Sequence, residues 1–183
     1  MPIFARAKLV IHDDCLAPAP GSPFPGKPQL ILSYKGPNPQ RIYPEIKRLI
    51  STAFKIDEKD IQEKQFSWDR SSTEEKFSVE LEGVKDIDRF SYIVVTVKIK
   101  GRAKPSKEFG KEGEVNVTFD AILRTEYPQD TLWQRSLFYE LFRMLFHKLI
   151  YREKRRLYLD ECKNMCLRFQ AEIKNFFNLL RGI

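Results

Sequence analysis

Apolar and polar residues alternate with a period of two in several separate stretches of the first 125 positions. "PIFARAKLVIH" sets Ile3, Ala5, Ala7, Leu9 and Ile11 on one side, and "QLILSY" (29–34) is a short apolar run. "IQEKQFSWDR" (61–70) places Phe66 and Trp68 on one face, and "EKFSVELEG" (75–83) does so with Phe77, Val79 and Leu81. "RFSYIVVTVKIKG" (89–101) aligns Ile93, Val95, Val97 and Ile99, and "EVNVTFDAILRT" (114–125) aligns Val115, Val117, Phe119, Ala121 and Leu123. Alternation this regular predicts about six strands in an antiparallel sheet, with one face buried and the other wet.

Two segments carry a helical period instead. In "GPNPQRIYPEIKRLISTAFKI", Pro44 suits a first helical turn, and Ile46, Leu49, Ile50, Ala53 and Phe54 fall on one face, which predicts a short helix covering the sheet. Later, Thr131 and Gln134 have the spacing of a capping box. Neither glycine nor proline occurs from there to Gly182, so an unbroken helix would reach roughly 75 Å at 1.5 Å per residue. That exceeds a domain of this size and predicts a break or bend near "YREKRRLYLD", or a projecting end.

The two halves of this helical stretch differ. Over 137–151 apolar residues occupy most of the circumference, leaving a polar strip of Ser136, Glu140, Arg143 and His147, so this half is expected to be the buried helix over the sheet, with Phe138, Phe142 and Phe146 as its ridge. From Tyr158 the pattern narrows to one stripe of Tyr158, Cys162, Met165, Phe169, Ile173, Phe176 and Leu180. Residues 157–183 therefore read as an amphipathic C-terminal extension with one buried face and one wet one.

The expected architecture is a single α+β domain over 1–183. It has a proline-rich loop at 16–28, with five prolines in 13 residues, and a long, mobile, basic hairpin loop between the last two strands. This order of strand, helix, a run of antiparallel strands and a long aromatic-rich C-terminal helix resembles the helix-grip architecture of START-like and SRPBCC-type domains across residues 29 to 160. In that family a curved sheet wraps the last helix around an apolar cavity for a lipid, sterol, hormone or polyketide. The resemblance implies a hydrophobic-ligand cavity between the sheet and residues 137–150. Trp68, Phe138, Phe142 and Phe146 are the candidate lining.

Charge changes the picture at the C-terminal end. Of 32 lysines and arginines against 25 acidic residues, ten cations and only four acids fall in the last 41 residues. Arg152, Arg156, Lys163, Lys174 and Arg181 lie within about 40° of one another on a helix, a ridge about 44 Å long. With Lys104 and Lys107 of the basic hairpin, they are candidates for contacting an anionic partner, whether RNA, DNA or a lipid surface.

Candidate chemistry is sparse. Eight glycines form no phosphate loop or dinucleotide fingerprint, and there is no G-x-S-x-G or H-E-x-x-H. No catalytic residue and no cofactor is assigned. His12, Cys15, Cys162 and Cys166 are a conceivable zinc set, but reduced core cysteines are the preferred reading. An odd count of three cysteines, with basic residues interrupting "MPIFARAKLV", argues against a disulfide framework and a secretory leader and leads to the expectation of a cytoplasmic protein. The expected function is a non-enzymatic binding module for a hydrophobic small molecule or lipid. The alternatives are nucleic-acid or ribonucleoprotein binding through the basic surfaces, and self-association or scaffolding through the Tyr158–Leu180 stripe.

Overall fold

The computed structural model describes residues 10–16, 29–70, 73–107, 110–127, 131 and 133–182. Strands β1 (Val10–Asp14) and β2 (Leu30–Pro37) precede helix α1 (Ile42–Phe54). Strands β3 (Ile61–Asp69), β4 (Glu75–Asp86), β5 (Ser91–Ser106) and β6 (Gly110–Glu126) follow, and then helices α2 (Leu137–Phe146) and α3 (Arg152–Arg181), joined by a π-helical turn at His147–Tyr151. The class is α+β, as the two periods predict.

All six strands belong to one antiparallel sheet, ordered β1-β6-β5-β4-β3, with β2 also on β6. β1 pairs with Glu126–Ile122 and β2 with Phe119–Glu112, so the two occupy the same edge of β6 end to end. The Cys15 amide donates to the Ala121 carbonyl at 2.9 Å and extends the first ladder almost to the second. The two strands are thus one edge strand interrupted by the proline-rich segment, of which only Leu16 is among the described residues. The expected strand at 3–11 is observed from Val10, and residues 1–9 lie outside the described residues.

The expected long loop between β5 and β6 is instead a ladder that continues to the pair Ser106 and Gly110. Gly110, at φ 74°, supplies the left-handed turn residue. Arg102 bonds Glu114 at 2.7 Å and Lys111 bonds Glu75 at 2.6 Å, so charges expected on a mobile finger are paired across strands. At Gly101 a Cβ would stand 2.3 Å from the Phe77 ring, so this glycine gives the ring its place on the neighbouring strand.

The buried face of the sheet carries the predicted residues: Phe77, Val79 and Leu81, Ile93 to Ile99, and Val115 to Leu123. α1 buries Ile42, Ile46, Leu49, Ile50, Ala53 and Phe54 against them, and Lys55 closes the helix in the left-handed conformation at φ 56°. The second covering helix is α3, through Cys162, Met165, Cys166, Phe169, Ile173, Phe177 and Leu180. Phe169 sits 4.8 Å from Phe119 and 5.6 Å from Phe54, and Tyr34 stacks on Phe177 at 4.9 Å.

This reverses the expected roles of the two helical halves. The stripe that was a candidate for self-association is filled by the sheet and α1. The segment 137–150, expected to be the core helix, does not cover the sheet.

Candidate functional site

The chain enters α2 through two local caps. Thr131 and Gln134 exchange side-chain-to-backbone bonds at 3.1 and 3.3 Å, and Ser136 Oγ accepts the Tyr139 amide at 3.2 Å. From there the helix is turned inside out. Leu137, Leu141, Leu145, Met144, Phe138 and Phe142 span an arc of about 160° that faces solvent. Leu137 is 83% exposed, Phe138 77% and Phe142 67%, and the π turn adds Leu149 at 73% and Ile150 at 60%. Apolar side chains scattered singly on a surface are ordinary, but here they form one contiguous helical face.

The polar strip that periodicity places outside faces the protein. Arg143 is buried over the Tyr127 ring, 6.0 Å from its centroid, and His147 Nδ1 meets the Tyr127 hydroxyl at 2.8 Å. Burial, reinforced by the Arg155 charge, lowers the His147 pKa below its usual value, so the ring is neutral at pH 7. One turn on, the buried Tyr151 places its hydroxyl 2.7 Å from Ser91 Oγ and donates to Asp88 Oδ2 at 2.8 Å. Asp88 also accepts the amides of Phe90 and Ser91 at 2.8 Å each and the Tyr158 hydroxyl at 3.0 Å. Burial alone would raise the Asp88 pKa, but these donors outweigh it and hold the carboxyl below its ordinary value. Arg155, also buried, donates to Asp13 at 2.5 Å and to Thr125 Oγ1.

These contacts clamp the helix to the β4–β5 turn and to the end of β6. The extra residue of the π turn re-phases the helix, so that Arg143 before it, His147 and Tyr151 at its two ends and Arg155 after it all point inward. Across 151–160, where a break or bend is expected, the helix continues as α3, and the departure from α-helical geometry lies at the π turn His147–Tyr151. Sequence reasoning recognised the strip of Glu140, Arg143 and His147 but assigned it to solvent. For Asp88, Tyr127, Tyr151 and Arg155 there was no sequence signal, because their partners come from distant strands.

Basic residues continue the apolar face. Lys148, Arg152, Lys154 and Arg156 are exposed within two turns of it, and Lys163, Lys174 and Arg181 are exposed farther along α3. Arg181 lies over Tyr34 at 5.7 Å. Lys107 is exposed near the hairpin tip, and Lys104 approaches Glu74 at 4.0 Å.

The candidate lining residues do not converge. Trp68 stacks on Phe77 at 5.3 Å, beside Tyr43 and beneath Arg70, whose guanidinium is 4.8 Å from the indole. Phe138 points to solvent. Phe142 and Phe146 line a separate cavity of about 170 Å³ with Phe90, Tyr127, Tyr139 and Arg143.

The conceivable zinc set is replaced by a covalent bond. Cys15 and Cys162 form a disulfide with Cα atoms 5.7 Å apart, and His12 is exposed on β1. Cys166 remains as a buried thiol, its pKa pushed up to about 12 by burial. Among the described residues no group of three or more His, Cys, Asp or Glu side chains is placed to hold a metal ion. The inference of reduced cysteines, and with it that argument for a reducing compartment, does not hold.

No family model matches the chain, and no curated protein matches it. Among solved structures, a chain described as a delta-endotoxin aligns over 56% of this chain and 63% of its own length, with 9% identity and a TM-score of 0.27. This chain thus spans less than two thirds of that protein, and a likeness so low carries no argument about fold or activity.

Proposed function

We propose that this protein is a non-enzymatic binding module that docks on an anionic lipid surface through residues 137–150. The observation that carries the reading is the inverted helix, which turns apolar residues outward and holds its own arginine and histidine inward. Such a face gains free energy only when something apolar covers it. The segment is short: 14 residues at 1.5 Å each reach about 21 Å, against a hydrocarbon core of about 30 Å. Among the described residues no helix is long and apolar enough to cross a membrane. A helix of this kind lies in the interface with its apolar arc among the acyl chains. The neighbouring Lys148, Arg152, Lys154 and Arg156 supply the charge complementarity, worth about 1 kcal/mol per cation near an anionic surface.

The test is co-sedimentation with vesicles of phosphatidylcholine alone and with added phosphatidylglycerol. Leu141→Asp/Leu145→Asp removes two half-exposed leucines, 54% and 48% exposed, from the centre of the face. At about 1 kcal/mol or more of lost burial for each, binding should weaken at least about tenfold. Helix content and the unfolding midpoint should be unchanged. Absence of wild-type binding to either vesicle would overturn the reading. So would a wild-type dimer that this double substitution splits, which would make the face a contact between copies.

A further inference from the structure

The cavity behind α2 joins a chemistry that its apolar lining does not explain. Five of its six walls are aromatic rings: Phe90, Tyr127, Tyr139, Phe142 and Phe146. The sixth is Arg143, whose side chain is only 5% exposed. Its Nε and Nη1 are buried without a hydrogen-bond partner, and its Nη2 lies 3.7 Å from Glu140, longer than a hydrogen bond. A buried, under-partnered guanidinium is unfavourable unless an anion joins it. The rings around it would repel a hydrated ion such as free phosphate, which gains nothing from them.

We infer that this cavity binds the oxyanion of an amphiphile, a carboxylate or phosphate carried on an apolar chain, with Arg143 as the counter-charge. The volume of about 170 Å³ holds such a head with roughly four attached carbons, taking about 30 Å³ for each small group. The rest of the chain has a route out past Phe142, which lines the cavity and also belongs to the outward apolar arc. The ligand would thus emerge onto the face of α2. Glu140 is a weak internal competitor, placed to be displaced by a better-positioned anion. The site goes beyond docking on a lipid surface and does not depend on it, because a monomeric ligand suffices to fill it.

The experiment is titration calorimetry of the full chain with decanoate below its micellar concentration, beside decanol, acetate and inorganic phosphate. Decanoate should bind at one site, and the other three at least tenfold more weakly. Arg143→Met should weaken decanoate binding at least tenfold without lowering the unfolding midpoint, since an apolar side chain of similar length relieves a buried charge. Glu140→Gln should tighten binding by removing the competing carboxylate, a change that a purely structural arginine would not produce. Arg143→Met, which leaves the outward apolar face and its flanking lysines and arginines intact, should still dock on vesicles even where decanoate binding is lost, so the two readings fail separately. Equal binding of decanoate and decanol, or of decanoate and phosphate, would overturn the inference. Wild-type affinity in Arg143→Met would do so as well.

Discussion

Replacing Cys15 and Cys162 together by alanine tests the covalent tie between the edge strand and the core helix. The two cysteines are 147 residues apart, so their bond closes most of the unfolded chain into a loop. The loop-entropy relation for that separation gives about 5 kcal/mol at 25 °C, near the top of the range found for disulfides. For a chain of this length each kcal/mol moves the thermal midpoint by about 2–4 °C, so the double variant should melt roughly 10–20 °C below the oxidised wild type. A reductant should lower the wild-type midpoint to the same level and leave the variant where it is. The loss should also be local, since among the described strands β1 pairs with β6 alone and is held besides by the bond between Asp13 and Arg155. Amides of Val10–Asp14 should therefore exchange faster in the variant while those at the centre of β5 keep their relative order. Alkylation in denaturant without reductant should find one free thiol, Cys166, among the three cysteines. Three reactive thiols, or a wild-type midpoint indifferent to reductant, would refute the reasoning.

Two further substitutions test the packing and the electrostatics. Phe169→Ala, in contact with Phe54 and Phe119, should destabilise by about 3–5 kcal/mol, whereas Phe138→Ala, on the exposed face, should stay within about 0.5 kcal/mol in chemical denaturation. A reversed order would mean that α2, and not α3, covers the sheet. Asp120 has its pKa raised by burial, opposed by Lys98 and reinforced by Asp14 and Glu80. A carboxyl raised in the folded state favours folding while protonated and loses that contribution as pH rises through its folded pKa. Asp120→Asn should accordingly be more stable than wild type at pH 7 and indistinguishable from it at pH 3. An equal gain at both values would show that ionisation is not the cause.

Much of the local structure was legible because it depends on near neighbours. A strand of period two must bury alternate residues, so the faces of β4, β5 and β6 could be read directly from Phe77 to Leu123. The helical face from Ile46 to Phe54, the exchange between Thr131 and Gln134, and the stripe from Cys162 to Leu180 follow from the helical repeat in the same way, except that Phe177 and not Phe176 is the buried ring of that stripe. The edge of the sheet was half visible, since the strand patterns of β1 and β2 could be read but not that both lie on the same edge of β6.

The candidate site was not legible. Hydrophobicity ranks residues 137–150 above 158–180 as core material, and the ranking chose the wrong helix. Periodicity states which residues share a face, but what that face meets depends on contacts between segments 60 to 147 residues apart. Cys15 with Cys162 and Asp13 with Arg155 seat α3 over the sheet. Tyr151 with Ser91 and Asp88 turns the preceding helix so that its polar strip faces inward. The sequence alone determined the secondary structure and the two-faced character of each element, because both are set by the geometry of adjacent residues. Only the tertiary structure decided which apolar face became core and which was left outward, because a sheet of this size has room for α1 and one more helix, and distant polar and covalent contacts select which one it is.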